Sequence, residues 1–340
     1  MKIGWWDHFE QIRGVSLARQ YDERLELLRF ADASGFYGYH VAEHHLTPLD
    51  MAPSPLVFLA AASRATTSIR LGTLVLVLPL YNPARLLQDI YMLDNLSHGR
   101  LMPGVGRGVR DVEHEWFGHT ADDARPRFAE CLSFLRSALS TDVAQLDGAD
   151  VPTNFTTVQK PMRFWYAGNL RSAADGAMNV IGVGRREDYD AYAETWSARR
   201  DAGDADFQGA EPIAGSTRRV LIADTDAEAE VIAARAWSAH HVNFGATSLR
   251  VGGRPGPVDF TSVPVERSGA VYGSVETVRE RLLAHADQLG PNHTYFAPSF
   301  QWGDMTHDEA RRSMERFVAE VMPALQPEGS KVATAAGGRS

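Results

Sequence analysis

Four stretches of the chain concentrate residue types that move protons or hold anions. Glu43-His44-His45 sets a carboxylate beside two imidazoles. Imidazole titrates near neutral pH, which suits acid–base work or anion stabilisation. Metal binding fits less well. Neighbouring extended residues point to opposite faces, and the His-Glu-x-x-His spacing of a zinc helix is missing. Spacing alone leaves two readings open: a structural imidazole held by hydrogen bonds, or one that faces a pocket. Gly104-Val105-Gly106-Arg107-Gly108-Val109-Arg110 lacks the spacing of a dinucleotide fingerprint, and Asp111-Val112-Glu113-His114 does not read as a helix opening. Its glycines would still let backbone N–H groups approach a phosphate while Arg107 supplies charge. Gly168-Asn169-Leu170-Arg171-Ser172 opens a helix, where Ser172 serves as a cap or as a phosphate contact. Trp5, Trp6, Tyr81, Trp116, Trp165 and Tyr166 either line an aromatic pocket or fill the core. Cys131 lies mid-helix and reads as inert packing. As the single cysteine, it excludes an intrachain disulfide and a multi-cysteine metal site.

The elements that must position these residues alternate. Strands are expected at 3–6, 37–41, 69–78, 100–106, 163–167, 179–183, 219–223 and 294–297. Helices are expected from 17, at 55–64, 83–96, 125–139, 170–177, 187–202, 227–240, 275–289 and 308–322. Ser54 is a candidate N-cap ahead of Pro55, and Leu86, Leu87, Ile90, Leu93 and Leu96 recur at helical spacing. Residues 69–78 are too continuously apolar for a half-exposed strand and suit a parallel sheet covered on both faces. About eight strand–helix units in this length predict an α/β fold, a (β/α)8 TIM barrel, with active residues at the C-terminal ends of its strands. Residues 243–273 are rich in Gly, Pro and Ser and are read as a long loop insertion before the last unit. The expected organisation is one domain over 1–326 and a loose tail over 327–340.

Of 340 residues, 44% are hydrophobic and 23% charged, so the chain can bury one large core. The net charge of −9 argues against nucleic acid or an anionic membrane surface as a partner. The longest apolar run, residues 71–80, is about half a membrane span. The N-terminus lacks the layout of a signal peptide, and a cytoplasmic location is expected.

Taken together, Ala42-Glu43-His44-His45-Leu46-Thr47, Ile69-Arg70-Leu71-Gly72-Thr73, Leu78-Pro79-Leu80-Tyr81-Asn82-Pro83-Ala84-Arg85, Leu93-Asp94-Asn95-Leu96-Ser97-His98-Gly99-Arg100 and Gly104-Val105-Gly106-Arg107-Gly108 closely resemble the bacterial luciferase-like flavin-dependent monooxygenases. The match runs almost without gaps over roughly the first 140 residues. Met305-Thr306-His307 and the stretch from Ser313 through Pro323 resemble that family's last helix.

The resemblance implies FMN at the barrel mouth. Arg107 matches the phosphate-binding arginine, with the Val109 amide and the flanking Gly106 and Gly108 beside it. Gly168, Asn169 and Ser172 match the second phosphate loop, although the family often has Glu-Ser where this chain has Gly168-Asn169. Leu74-Val75 sits where the family often carries a non-prolyl cis peptide under the flavin ring. His44 matches a catalytic histidine, with His45 and Glu43 supporting it. Gly106 stands where luciferase has a reactive cysteine, so light emission is not implied.

The implied chemistry has two components. Reduced FMN from a separate flavin reductase reacts with O2 to give a C4a-(hydro)peroxyflavin, which oxygenates a small organic substrate. No metal is implied, and a homodimer is expected by analogy. Two rival readings are a hydride-transferring relative that uses a deazaflavin or flavin, and a non-catalytic partner subunit like the luciferase β chain.

Overall fold

The computed structural model describes residues 1–209, 211–246 and 264–326. Eight parallel strand positions close on themselves. In chain order they are β1 (Lys2–Asp7), β2 (Gly38–Val41), β3 with β4 (Arg70–Thr73 and Leu76–Val77), β5 with β6 (Leu101–Met102 and Gly104–Gly106), β9 (Trp165–Ala167), β10 (Asn179–Ile181), β11 (Ala214–Ser216) and β14 (Tyr295–Phe296). Each pairs with the next, and β14 returns to β1 through Lys2↔Tyr295 and Ile3↔Phe296, which makes a TIM-type barrel.

The third and fourth positions are each broken in two. The Leu74–Val75 peptide bond between β3 and β4 is cis. Between β5 and β6 stands Pro103, which has no N–H to give a ladder. The Thr73 hydroxyl bridges the gap: it donates to the Gly104 carbonyl at 2.8 Å and accepts from the Gly104 N–H at 2.9 Å. A Cβ at Gly104 would stand 2.0 Å from the Thr73 carbonyl oxygen, a backbone atom that cannot step aside. Gly104→Ala is therefore expected to cost about 3 kcal/mol of stability, at the upper end for overpacking. Urea unfolding checks it, and a midpoint within error of the parent would contradict it.

Around the barrel run α1 (Leu17–Ala33), α2 (Pro55–Ala65), α3 (Pro83–Leu96), α4 (Asp111–Trp116), α5 (Ala124–Thr141), α6 (Leu170–Asp175), α7 (Arg186–Asp201), α8 (Asp226–Gly245), α9 (Val275–Leu289) and α10 (His307–Arg316). Their starts are chemically marked. Ser16, Asn82, Thr225 and Ser274 each accept the amide three residues on. Thr306 and Glu309 form a capping box. Ser54 makes no side-chain cap, and α2 starts on Pro55 alone. After α10 the chain widens into a π-turn at Phe317–Val321, ahead of α11 (Met322–Leu325), where Pro323 removes an amide donor.

Two predictions need correction. Residues 219–223 do not form the seventh barrel strand. Val220–Ile222 (β12) pairs outside the barrel with Val271–Gly273 (β13). That pairing also places the end of the expected 243–273 loop in a strand and its start in α8. Residues 247–263 of that loop, and the 327–340 tail, lie outside the described residues. An antiparallel hairpin, β7 (Val143–Leu146) with β8 (Ala149–Pro152), was not expected at all. Among the described residues, no helix is long and apolar enough to cross a membrane.

The interior of the barrel is filled by Leu74, Met102, Trp165, Ile181 and Tyr295, with Trp6 against them. His40 lies among these rings and shares a 3.0 Å hydrogen bond with the Tyr295 hydroxyl. Trp5, the next residue along β1 from the outer face of the same strand, packs on Tyr39 in the main core at 4.8 Å between ring centroids. Cys131 is buried as expected, and burial pushes its thiol up to about 12.

Candidate active site

All the sequence-singled residues at strand ends fall on one face of the molecule, because parallel barrel strands share a direction. Glu43, His44 and His45 follow β2. The Glu43 carboxylate is buried and fully used. One oxygen meets His45 Nε2 at 2.8 Å, and the other accepts the Val77 amide at 3.0 Å and the Tyr81 hydroxyl at 2.9 Å. Burial and the adjacent Glu43 hold the Tyr81 phenol well above its ordinary value, so it stays a donor. Glu43 and His45 thus serve as a brace between β2 and β4.

His44 turns the other way, as the alternation of extended residues requires. Its Nδ1 lies 3.2 Å from Glu113 Oε1, and the same oxygen accepts the His45 amide at 3.1 Å. A carboxylate only accepts, so Nδ1 carries the proton and Nε2 is left without one. Glu113 belongs to α4, a helix that the sequence reading did not expect to open at Asp111. This α4 contact ties the turn that carries Arg107 to the loop that carries His44.

Arg107 is exposed and pairs with no carboxylate among the described residues. A Cβ on Gly106 would lie 2.4 Å from Val75 Cγ2, so only glycine lets the Arg107 turn rest on the Leu74–Val75 segment. Gly108 has a φ of +82°, which lets the turn reverse. Val109 is 85% exposed on its rim. Strand β6 pairs with β9 through Val105↔Tyr166, which sets the Gly168–Ser172 turn next to the Arg107 turn. There the cap is Asn169, not Ser172. Asn169 Oδ1 accepts the Ser172 amide at 3.0 Å, and Ser172 stands exposed inside the first turn of α6. Gly168 is also exposed and donates its amide to the Ile181 carbonyl at 3.1 Å.

Several residues of this face were not singled out from sequence. His8 follows β1, and its ring lies 5.6 Å from that of His44 and 6.1 Å from that of His240. His240 accepts from Arg219 Nη2 at 2.9 Å, so its Nδ1 carries the proton and donates to Glu10 at 2.7 Å. Asn243 donates to the other Glu10 oxygen at 3.1 Å. Burial alone would raise the Glu10 carboxyl, but His240, Arg219 and Asn243 bring it below its ordinary value. The signal for His8 and Arg219 was positional: each stands just past a barrel strand.

No cluster of His, Cys, Asp and Glu that could hold a metal ion occurs among the described residues. A groove of about 650 Å³ beside α5, lined by Leu132, Arg136, Met162, Arg163 and Phe164, lies at the opposite, N-terminal end of the strands and holds none of these groups.

The chain is similar to known proteins along nearly its whole length. The chain is 31% identical over 339 residues to the uncharacterized protein y4wF of Sinorhizobium fredii, covering 95% of this chain and 96% of that one. It is 25% identical over 355 residues to the oxygenase component of the flavin-dependent trigonelline monooxygenase of Acinetobacter baylyi, covering 96% of each.

Three solved structures share the fold. Monooxygenase RslO1 of Streptomyces bottropensis gives a TM-score of 0.77 at 24% identity, over 96% of this chain and 100% of that one. The FMN complex of the oxygenating constituent of 3,6-diketocamphane monooxygenase from Pseudomonas putida gives 0.69 at 18%, over 95% and 98%. The coenzyme F420-dependent tetrahydromethanopterin reductase of Methanopyrus kandleri gives 0.62 at 14%, over 95% and 99%. The family described as luciferase-like monooxygenase matches residues 1–293, and with the barrel closed and its charged turns on one face, the chain belongs to that family.

Proposed function

We propose that the chain is the oxygenase component of a two-component monooxygenase that takes reduced FMN from a separate reductase and uses O2 to oxygenate a small organic substrate. The observation that carries this reading is Arg107, which meets no carboxylate among the described residues of an acidic chain, on the same face as His44 and joined to it through Glu113. The words "oxygenase component" in the name of a relative that aligns along its whole length support the separate reductase.

The residues present fit FMN. Arg107, the amides around Gly108 and Val109, and the first turn of α6 with Gly168, Asn169 and Ser172 would hold the phosphate. Leu74, Val75 and Gly106 would lie against the ring. Reduced FMN supplies the electrons that activate O2.

This chain's own residues do the rest. His44 presents Nε2 to hold or deliver a proton, with Glu113 fixing its tautomer. Leu74, Trp165 and Ile181 make the floor of the mouth apolar and so exclude water beneath the ring. Glu43 and His45 keep the His44 loop in place.

Arg107→Ala is expected to weaken FMN binding about tenfold to a hundredfold, the loss of a charge-assisted phosphate contact. Riboflavin, which has no phosphate, should lose nothing. Fluorescence titration of both flavins reads this, and equal loss for the two would remove Arg107 from the phosphate site. In the same preparation, stoichiometric protein should change the rate at which reduced FMN reoxidises in air. An effect on reduced F420 alone would favour hydride transfer instead.

A further inference from the structure

The sector of the mouth above β11, β14 and β1 holds a guanidinium whose donors the described residues do not exhaust. Arg219 follows β11 and is half-buried, with Ser299 bridged to it across from β14. Its guanidinium lies 5.3 Å over the Trp237 ring, and Trp237 in turn stacks on His240 at 5.3 Å. One nitrogen, Nη2, is used on His240. Its Nε and Nη1 meet no protein acceptor among the described residues, and no carboxylate touches the guanidinium directly.

The two nearby carboxylates are already engaged, Glu10 by His240 and Asn243, and Glu113 by His44 and the His45 amide. His8 stands between His44 and His240 with no hydrogen-bond partner among the described residues. On the far side, the Arg110 guanidinium lies 4.3 Å over Phe244, which borders His240.

We propose that this sector selects the substrate: an organic carboxylate, gripped by the guanidinium of Arg219 with His8 donating beside it. The proposal rests on the oxygenase reading for the word substrate, but the anion site itself does not. Nη2 spends one of its two N–H bonds on His240; the other lies parallel to an N–H of Nε or of Nη1, and such a pair matches a carboxylate's two oxygens. The environment of His8 supports the same sign. Burial, then the neighbouring His44, Arg219, His240 and Arg110, hold that imidazole well below its ordinary value. Of these neighbours Arg219 and Arg110 carry a full positive charge, and that charge attracts an anion.

The test uses benzoate as the probe and benzamide, its neutral counterpart, as the control, each titrated calorimetrically into the full chain with and without FMN. Benzoate is expected to bind at least tenfold tighter than benzamide. Arg219→Gln should weaken benzoate at least tenfold, leaving benzamide and FMN within about twofold. Arg219→Lys, which keeps the charge and loses the fork, should fall between, and guards against a glutamine variant that fails to fold.

Equal binding of the two probes, or an Arg219→Gln protein that binds benzoate as the parent does, would overturn the proposal. So would a loss of FMN affinity without loss of riboflavin affinity, which would assign Arg219 to the cofactor's phosphate. A chain that binds benzoate through Arg219 yet ignores FMN would retain the anion site and refute the oxygenase reading.

Discussion

Replacing His44 by alanine is expected to lower product formed per flavin oxidised by about 10²–10⁴-fold, the usual worth of a positioned acid–base group. FMN affinity should stay within about threefold, because the residues assigned to the phosphate lie on other turns. The reason for the large effect is geometric. Glu113 takes the Nδ1 proton of His44 at 3.2 Å, so the opposite nitrogen is committed to the mouth. His45 cannot substitute, since its Nε2 is held 2.8 Å from Glu43 in the brace to β4. Flavin should still be oxidised in the variant, with the reducing equivalents lost as peroxide. Single-turnover reactions that measure both product and peroxide decide the matter, and unchanged coupling would exclude His44 from the chemistry.

The second large effect is on stability. Burial drives His40 down to about 3 and, with His285 and Arg218 nearby, His293 down to about 3. Both are neutral when folded, while the unfolded chain binds their protons near pH 6.5. Between the folded and unfolded values the unfolded state therefore holds more protons, and stability falls as pH drops below about 6.5. Above that pH the contribution is complete. The slope from each residue grows towards about 1.4 kcal/mol per pH unit below pH 6.5, which amounts to about 3 kcal/mol for the pair between pH 6.5 and pH 5.

Asp7 and Asp50 are raised, chiefly by burial, and oppose this, since acid favours their folded forms. The clean measurement is thus a difference. His293→Gln keeps a partner for Ser216, which His293 Nε2 meets at 2.9 Å, and removes one titrating group. The urea-derived stability of this variant should depend on pH less steeply by about 1 kcal/mol per unit between pH 6.5 and pH 5. Parallel pH profiles would show that His293 does not titrate with unfolding.

The barrel was legible because its helices carry strong apolar periodicity and most of its strands are short, buried runs that mix aliphatic and aromatic residues between them. The seventh strand was not. Ala214-Gly215-Ser216 has no bulky side chain, and its burial comes from Tyr189 and Tyr295 closing over it. The more strand-like Val220-Leu221-Ile222 drew the prediction away, although its partner β13 lies 51 residues on at Val271↔Val220. The hairpin β7–β8 did have a local signal, Asp147-Gly148 between short extended runs.

Within the site, the Glu43-His44-His45 triplet could be found because it is contiguous. The rings that surround it could not. His8, Glu113, Arg219 and His240 are scattered over more than 230 residues and meet only when the barrel closes. Reading the residue after every strand, and not only after the second to the fifth, would have reached His8.

The Glu113 clasp also links two events that are usually treated apart. Its helix begins four residues after Arg107, so an anion that quietens that turn also stills the rotor of the His44 ring. Linkage makes this mutual: whatever fixes the ring must sharpen the grip on the anion by the same factor. On the proposed reading, loading of the mouth and the steadiness of an acid that Glu113 already aims would form one equilibrium.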